Sequence, residues 1–174
     1  FSQEPTVSQN FLITNCADRR SGRLSITAAR GNGRTTNLGE VSTSLTLRTR
    51  IEKLAHVPLS LCAEQQNLIY ANGADEAEDV ALLLSKRIGF TEPSPRLLAL
   101  CRLAKDSVHQ KYVLADCLLK RVAFHYANIP TKLRQEIESA FSDGELKYLV
   151  CTSTLLQGVN LPAKNIFMFK PTKG

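Results

Sequence analysis

From Asn67 onward, apolar residues arrive in short blocks separated by polar turns. Residues 67–71 (Asn-Leu-Ile-Tyr-Ala) are too few for a helix and mostly apolar, the pattern of a buried strand. Asn72-Gly73 turns the chain. Asp75 and Glu76 then open a helix, because acidic groups suit the positive end of the helix dipole. Ala77, Val80, Ala81, Leu84 and Ile88 recur on one face of it. Lys86 and Arg87 suit its last turn, and Gly89 its stop. Ser94-Pro95 reads as a cap followed by proline at the first helical position, with Leu97, Leu100, Cys101 and Ala104 facing inward. A third helix is predicted over 112–119. Residues 121–125 predict a strand, 126–129 a loop, and Pro130 the start of a helix with Leu133, Ile137, Ala140 and Phe141 on one face, closed by Asp143-Gly144. Residues 147–151 and 165–169 predict two more strands around a polar loop at 152–162. Strands alternating with helices predict an α/β fold with a parallel β-sheet flanked by helices on both faces. In such folds ligands bind where loops leave the carboxyl ends of strands, which points to 72–74, 125–129 and 152–162.

The pattern is weaker before residue 60. Residues 11–14 and 23–27 read as short strands, Gly31-Asn32-Gly33 as a turn, and 42–55 as a helix ending before Pro58. There is no internal repeat. The expected division is a mixed α/β linker or inter-domain segment over 1–60 and the main domain over 61–174.

Composition changes this picture little. The chain has 174 residues, 43% of them hydrophobic, enough to bury a core and to exclude wholesale disorder. Its apolar runs fall far short of the roughly 18 residues of a membrane span. The five cysteines are odd in number and form no CxxC or Cys/His cluster. That argues against a disulfide framework or a metal site and for reduced thiols in a cytoplasmic protein; Cys151, within an apolar run, reads as core. The net charge of +6 is uneven. Residues 1–50 carry seven arginines against Glu4, Asp18 and Glu40. A basic stretch suits a phosphate partner and equally suits an ordinary solvated face.

The loop from Thr152 to Ala163 carries the most chemistry. Thr152, Ser153 and Thr154 follow a buried strand directly. Hydroxyl and backbone donors there suit phosphate oxygens, which only accept. Gly158 permits close backbone approach, and Asn160 can both donate and accept, as a ribose hydroxyl requires. The same hydroxyls could instead cap their own turn, and the residues alone leave both readings open.

The stretch Thr152-Ser153-Thr154-Leu155-Leu156-Gln157-Gly158-Val159-Asn160-Leu161-Pro162-Ala163 resembles motif V of superfamily 2 helicases of the DEAD/DEAH type, in the form seen in the Ski-like branch. Val122-Ala123-Phe124-His125-Tyr126-Ala127-Asn128-Ile129-Pro130, followed by Arg134 and Glu138, is similar to the segment preceding that motif. Residues 67–84 are similar to motif IV and its helix. The resemblance spans 64–174 and implies the second, C-terminal RecA-like domain of an ATP-dependent nucleic-acid translocase, with ATP and Mg2+ bound in the cleft between two such domains. By position, Asn72, Gly73, His125 and the 126–128 loop would approach a strand of RNA or DNA, single or duplex. Arg134 would support a backbone contact. Thr152, Ser153 and Thr154 would meet phosphates, and Gly158 and Asn160 would face the nucleotide. His125 could equally be a satisfied strand-end histidine.

Two departures stand out within the resemblance. Ala127 stands where relatives usually have Gly, and Gln157 where Glu is common. The family's arginine-bearing motif VI is expected beyond Gly174, and the partner RecA-like domain with its Mg2+ ligands lies outside the sequence. No Gly-x-x-x-x-Gly-Lys-Ser/Thr phosphate loop occurs: the stretch from Gly31 to Thr36 lacks the Lys and the spacing. No catalytic residue is assigned, and Asp75-Glu76-Ala77-Glu78 is not read as a metal box, because it follows a turn instead of ending a buried strand. The chain is therefore expected to supply half of an ATP cleft and part of a strand track, and to be inactive by itself. The alternatives are an interaction scaffold that keeps the RecA-like fold without the motor, and an unrelated phosphate-binding α/β enzyme.

Overall fold

A computed structural model describes residues 10–16, 22–30, 33–90, 92–153 and 161–172. The chain forms two compact units, Phe1–Arg48 and Thr49–Gly174.

The smaller unit is a three-stranded antiparallel sheet of β1 (Phe11–Cys16), β2 (Arg23–Ala29) and β3 (Thr35–Ser42), in the order β1-β2-β3. The third strand was not expected, because Thr-Thr-Asn-Leu-Gly-Glu-Val-Ser lacks a clean apolar alternation. Backbone pairing builds it all the same: Ile26 faces Gly39 while Thr27 faces Asn37, so Leu38 is the extra residue of a bulge. Gly39 sits at φ +113 and donates its N–H to Asn37 Oδ1 at 2.9 Å.

In the larger unit, α1 (Arg50–Cys62) replaces the helix expected at 42–55. Its start is set by a reciprocal cap. Thr49 Oγ1 accepts the Glu52 N–H at 3.1 Å, and Glu52 Oε2 accepts the Thr49 N–H at 3.0 Å. Pro58 lies inside the helix and does not end it. An interior proline costs about 3 kcal/mol, and the burial of Leu54 and Ala55 in the core offsets it. The unit boundary at 48/49 places this helix with the parallel sheet, and not with the N-terminal segment expected over 1–60. Thr49→Ala is expected to lower the stability of the larger unit by about 0.5–2 kcal/mol, read from the urea midpoint at constant m-value.

The sheet of the larger unit is parallel and ordered β5-β6-β4-β7, with β4 (Asn67–Tyr70), β5 (Val122–His125), β6 (Tyr148–Cys151) and β7 (Asn165–Phe167). Every residue of β4, β5 and β6 is buried, as a sheet covered on both faces requires. The covering helices are α2 (Ala74–Arg87), α3 (Pro95–Ser107), α4 (Val113–Leu118) and α5 (Thr131–Ser142). The apolar faces read from the sequence are buried in them: Ala77, Val80, Ala81 and Leu84 on α2, Leu97, Leu100, Cys101 and Ala104 on α3, and Leu133, Ile137, Ala140 and Phe141 on α5. Ser94 caps α3 by accepting the Leu97 N–H at 3.2 Å. Gly144, at φ +79, closes α5 in the left-handed region. Gly89 does not do the same for α2, which stops because Ile88 turns extended (φ −80, ψ 126). All four strands are shorter than expected, each by one or two residues. At β5 the reason lies in the backbone: Arg121 has positive φ, which takes it out of the sheet.

Candidate nucleic-acid interface

Because all four strands of this sheet run parallel, their carboxyl ends share one edge. Tyr70 and His125 both register against Cys151. Asn72, His125 and Thr152 are therefore set side by side on neighbouring strand ends, about 4.8 Å per strand. Gly73 and Ser153 follow directly. Arg134 comes from the first turn of α5. The structure thus brings six of the nine candidate residues to one edge. Thr154, Gly158 and Asn160 lie outside the described residues, as does Gln157.

Asn72 is exposed, but its polar atoms are already used within the unit. Its N–H donates to Glu76 Oε2 at 2.7 Å, its Nδ2 to the Lys170 carbonyl at 3.4 Å, and its Oδ1 accepts the Thr172 N–H at 3.1 Å. The loop after β4 is thereby tied to the chain leaving β7. Gly73, the N-cap of α2, is extended (φ −162, ψ 173), a conformation any residue adopts. A Cβ built on it meets nothing within 4 Å. Neither the backbone nor the packing of this fold demands glycine at 73.

His125 is buried at 2% exposure and its Nε2 lies 2.8 Å from Glu138 Oε1. Arg134 and Glu138 are four residues apart on α5 and so share a face. Burial lowers the His125 pKa below its ordinary 6.5, Glu138 opposes that shift, and Arg134 adds to it. In the neutral ring Nε2 carries the proton to Glu138, and Nδ1 is an acceptor that is buried without a hydrogen-bond partner. The histidine is therefore half satisfied: one nitrogen serves the fold and the other does not. The linkage has a definite sign. Folding opposes protonation, so the contribution is complete above pH 6.5 and is lost as pH falls through that value toward the lowered folded-state pKa. Thermal midpoints of the wild type should decline between pH 7 and pH 5 more steeply than those of His125→Gln, and parallel declines would refute the assignment.

An aromatic group supports this strand end from below. Phe124 stacks on Tyr126 (5.8 Å, 3°) and meets Tyr112 edge-on (5.8 Å, 89°). Tyr126 donates its hydroxyl to Glu78 of α2, and burial raises its pKa. No local pattern announces the Tyr126–Glu78 bond, because the partners are 48 positions apart. Cys151, at the end of β6, is fully buried and its thiol is pushed up to about 12 by burial alone, so it stays protonated and unreactive. Among the described residues no group of His, Cys, Asp or Glu could hold a metal ion. Asp75 and Glu76 sit in the first turn of α2, and Glu76 is spent on Arg50 and Asn72. No described helix is long and apolar enough to cross a membrane.

A parallel sheet flanked by helices, with its candidate groups gathered on the carboxyl edge, is the layout of a RecA-like α/β domain. The chain belongs to the helicase conserved C-terminal domain family, whose model matches residues 50–174. It is 36% identical over 122 residues to "Helicase POLQ-like" of Drosophila melanogaster, covering 67% of this chain and 12% of that protein. To the protein of the same name in Caenorhabditis elegans it is 29% identical over 150 residues, 82% of this chain and 16% of the relative. To "ATP-dependent DNA helicase Hel308" of Methanocella arvoryzae it is 29% identical over 108 residues, 59% of this chain and 15% of the relative. The chain thus spans a small part of these relatives' length.

Proposed function

We propose that this chain is the second RecA-like half of an ATP-dependent helicase of the Ski-like branch, supplying one wall of the ATP cleft and part of the track for a nucleic-acid strand. The observation that carries the reading is the shared carboxyl edge, where Asn72, Gly73, His125, Thr152 and Ser153 stand on adjacent strand ends with Arg134 beside them. The names of the relatives favour DNA as the strand. Thr154, Gly158 and Asn160 belong to the same reading through their motif, with Gly158 and Asn160 facing ATP and its Mg2+. The Mg2+ ligands and the facing domain are supplied from outside this sequence, and residues 1–48 connect to that domain.

Gly73 gives the sharpest test. Its backbone and surroundings accept a side chain, whereas a strand lying against it does not. Gly73→Val should keep the fold, losing about 1 kcal/mol or less at the helix cap. It should weaken binding of a single-stranded oligodeoxynucleotide about tenfold, measured by fluorescence anisotropy. Undiminished affinity in this variant would remove the 72–73 loop from the track. The wild-type affinity should fall linearly with salt on logarithmic axes, as counterion release requires. The chain alone should turn over no ATP, since the sequence contains no phosphate loop.

A further inference from the structure

One cluster on the same edge lies outside every motif named above. Phe169 and Lys170 follow β7, and Arg50 and Lys53 occupy the first turn of α1. The three cations surround one ring: Lys53 Nζ lies 4.9 Å from the Phe169 centroid, Arg50 Cζ 5.6 Å and Lys170 Nζ 5.8 Å. Three like charges this close repel one another, and each cation–π contact returns only about 0.5–1 kcal/mol at a partly exposed site. Among the described residues, Glu76 is the single carboxylate paired with any of them, and it pairs with Arg50.

The three are not equivalent. Arg50 is fixed: Nε bonds to Glu76, Nη1 donates to the Lys170 carbonyl at 3.1 Å, and Nη2 is buried. Asn72 Nδ2 reaches the same carbonyl. These two donors hold Lys170 at φ 45, a left-handed conformation that disfavours a non-glycine residue by about 1–2 kcal/mol. Lys53 and Lys170 have no ion-pair partner among the described residues, so their ammonium groups keep their donors for something else. Their place is informative. β7 neighbours β4, and β4 neighbours β6, so Lys170, Asn72 and Thr152 stand on three consecutive strand ends.

We infer that Lys53 and Lys170, held around Phe169 by Arg50, are a further phosphate-binding station that extends the strand track across the end of β7. The ligand is a phosphodiester group of single-stranded nucleic acid. Arg50 is a positioning residue, and the two lysines make the contact. The inference rests on the strand-track reading above and adds two contacts to it.

The test uses the whole chain and a fluorescein-labelled oligo-dT, with affinity measured from low to high salt. Each phosphate contact to a single strand contributes about 0.7 to the slope of log K against log salt. The double variant Lys53→Gln/Lys170→Gln should lose about 1.4 from that slope and bind several-fold more weakly. Lys53→Arg/Lys170→Arg should restore the slope, and Lys86→Gln/Lys105→Gln, on α2 and α3, should leave it unchanged. Circular dichroism and the thermal midpoint guard against loss of fold. A wild-type slope in the double Gln variant would overturn the inference while leaving the track reading intact. A wild type that binds no oligonucleotide at any salt would overturn both. ATP replaces the oligonucleotide in a second arm, and lysine-dependent binding of ATP without lysine-dependent binding of oligo-dT would reassign the charge to a nucleotide and overturn the inference.

Discussion

Phe124→Ala is expected to destabilise the larger unit by about 3–5 kcal/mol, the range for deleting a fully buried aromatic side chain. Phe124 lies on β5, an outer strand of the sheet, yet it is 0% exposed, with Tyr126 stacked on it and Tyr112 against its edge. The substitution therefore leaves a cavity lined by two rings that each lose an aromatic partner, a contact worth about 0.5–1.5 kcal/mol beyond area. Phe124→Leu retains most of the volume and should cost clearly less. Urea titrations followed by tyrosine fluorescence would measure both variants. A loss below 1 kcal/mol for the alanine variant would mean that the aromatic group repacks. The consequence reaches the interface, because Tyr126 is the residue after His125, and its bond to Glu78 helps to fix the end of β5.

Asn67→Ala is expected to cost about 2–4 kcal/mol, although asparagine is an ordinary polar residue at the start of a strand. Asn67 is fully buried and its amide is satisfied on both ends. Nδ2 donates to the carbonyls of Cys62 and Gln65, each at 2.8 Å, and Oδ1 accepts from Asn165 Nδ2 at 3.0 Å. One side chain thus joins the end of α1, the turn after it, and the edge strand β7. Alanine leaves the Gln65 carbonyl without its side-chain donor. Asn67→Asp separates chemistry from shape. At neutral pH a carboxylate there would face two carbonyl oxygens, so it should be at least as damaging as alanine. Burial raises the carboxyl's pKa in the folded state above its unfolded value, so the folded state binds the proton more tightly and stability should recover as pH falls. A pH-independent loss in the aspartate variant would show that the side chain has swung away from both carbonyls.

The larger unit was legible because its signals are local and redundant. The face Ala77, Val80, Ala81 and Leu84, bracketed by Asp75-Glu76 and Lys86-Arg87, can be read from period and charge, and it is the buried face of α2. The β4, β5 and β6 strands were legible because a sheet covered on both sides needs nearly unbroken apolar blocks. α1 departs from the expected 42–55 because Pro58, which resembles a stop, is carried inside the helix, while the Thr49-x-x-Glu52 capping box fixes its start. β3 was missed because a strand exposed along almost its whole length has no burial pattern to show. At the candidate interface, the positions of Asn72, His125 and Thr152 followed from strand ends and motif order. What could not be read were the long-range partners. Lys170 and Thr172 for Asn72 are set by register across the sheet, and Glu138 for His125 and Arg50 for Glu76 by how the helices pack, which no spacing along the chain encodes.

The sheet order also governs how this domain is born. The inner strand β4 leaves the ribosome early, yet its two neighbours, β6 and β7, are synthesised about eighty and a hundred residues later. Until then β4 has hydrogen-bonding edges on both sides and nothing to close them, while the helices α2 and α3 are already made. Such late, non-local pairing folds slowly and exposes strand edges to other chains. A polypeptide halted anywhere before β6 would therefore carry an unsatisfied central strand, a substrate for chaperones or for aggregation rather than a smaller working domain.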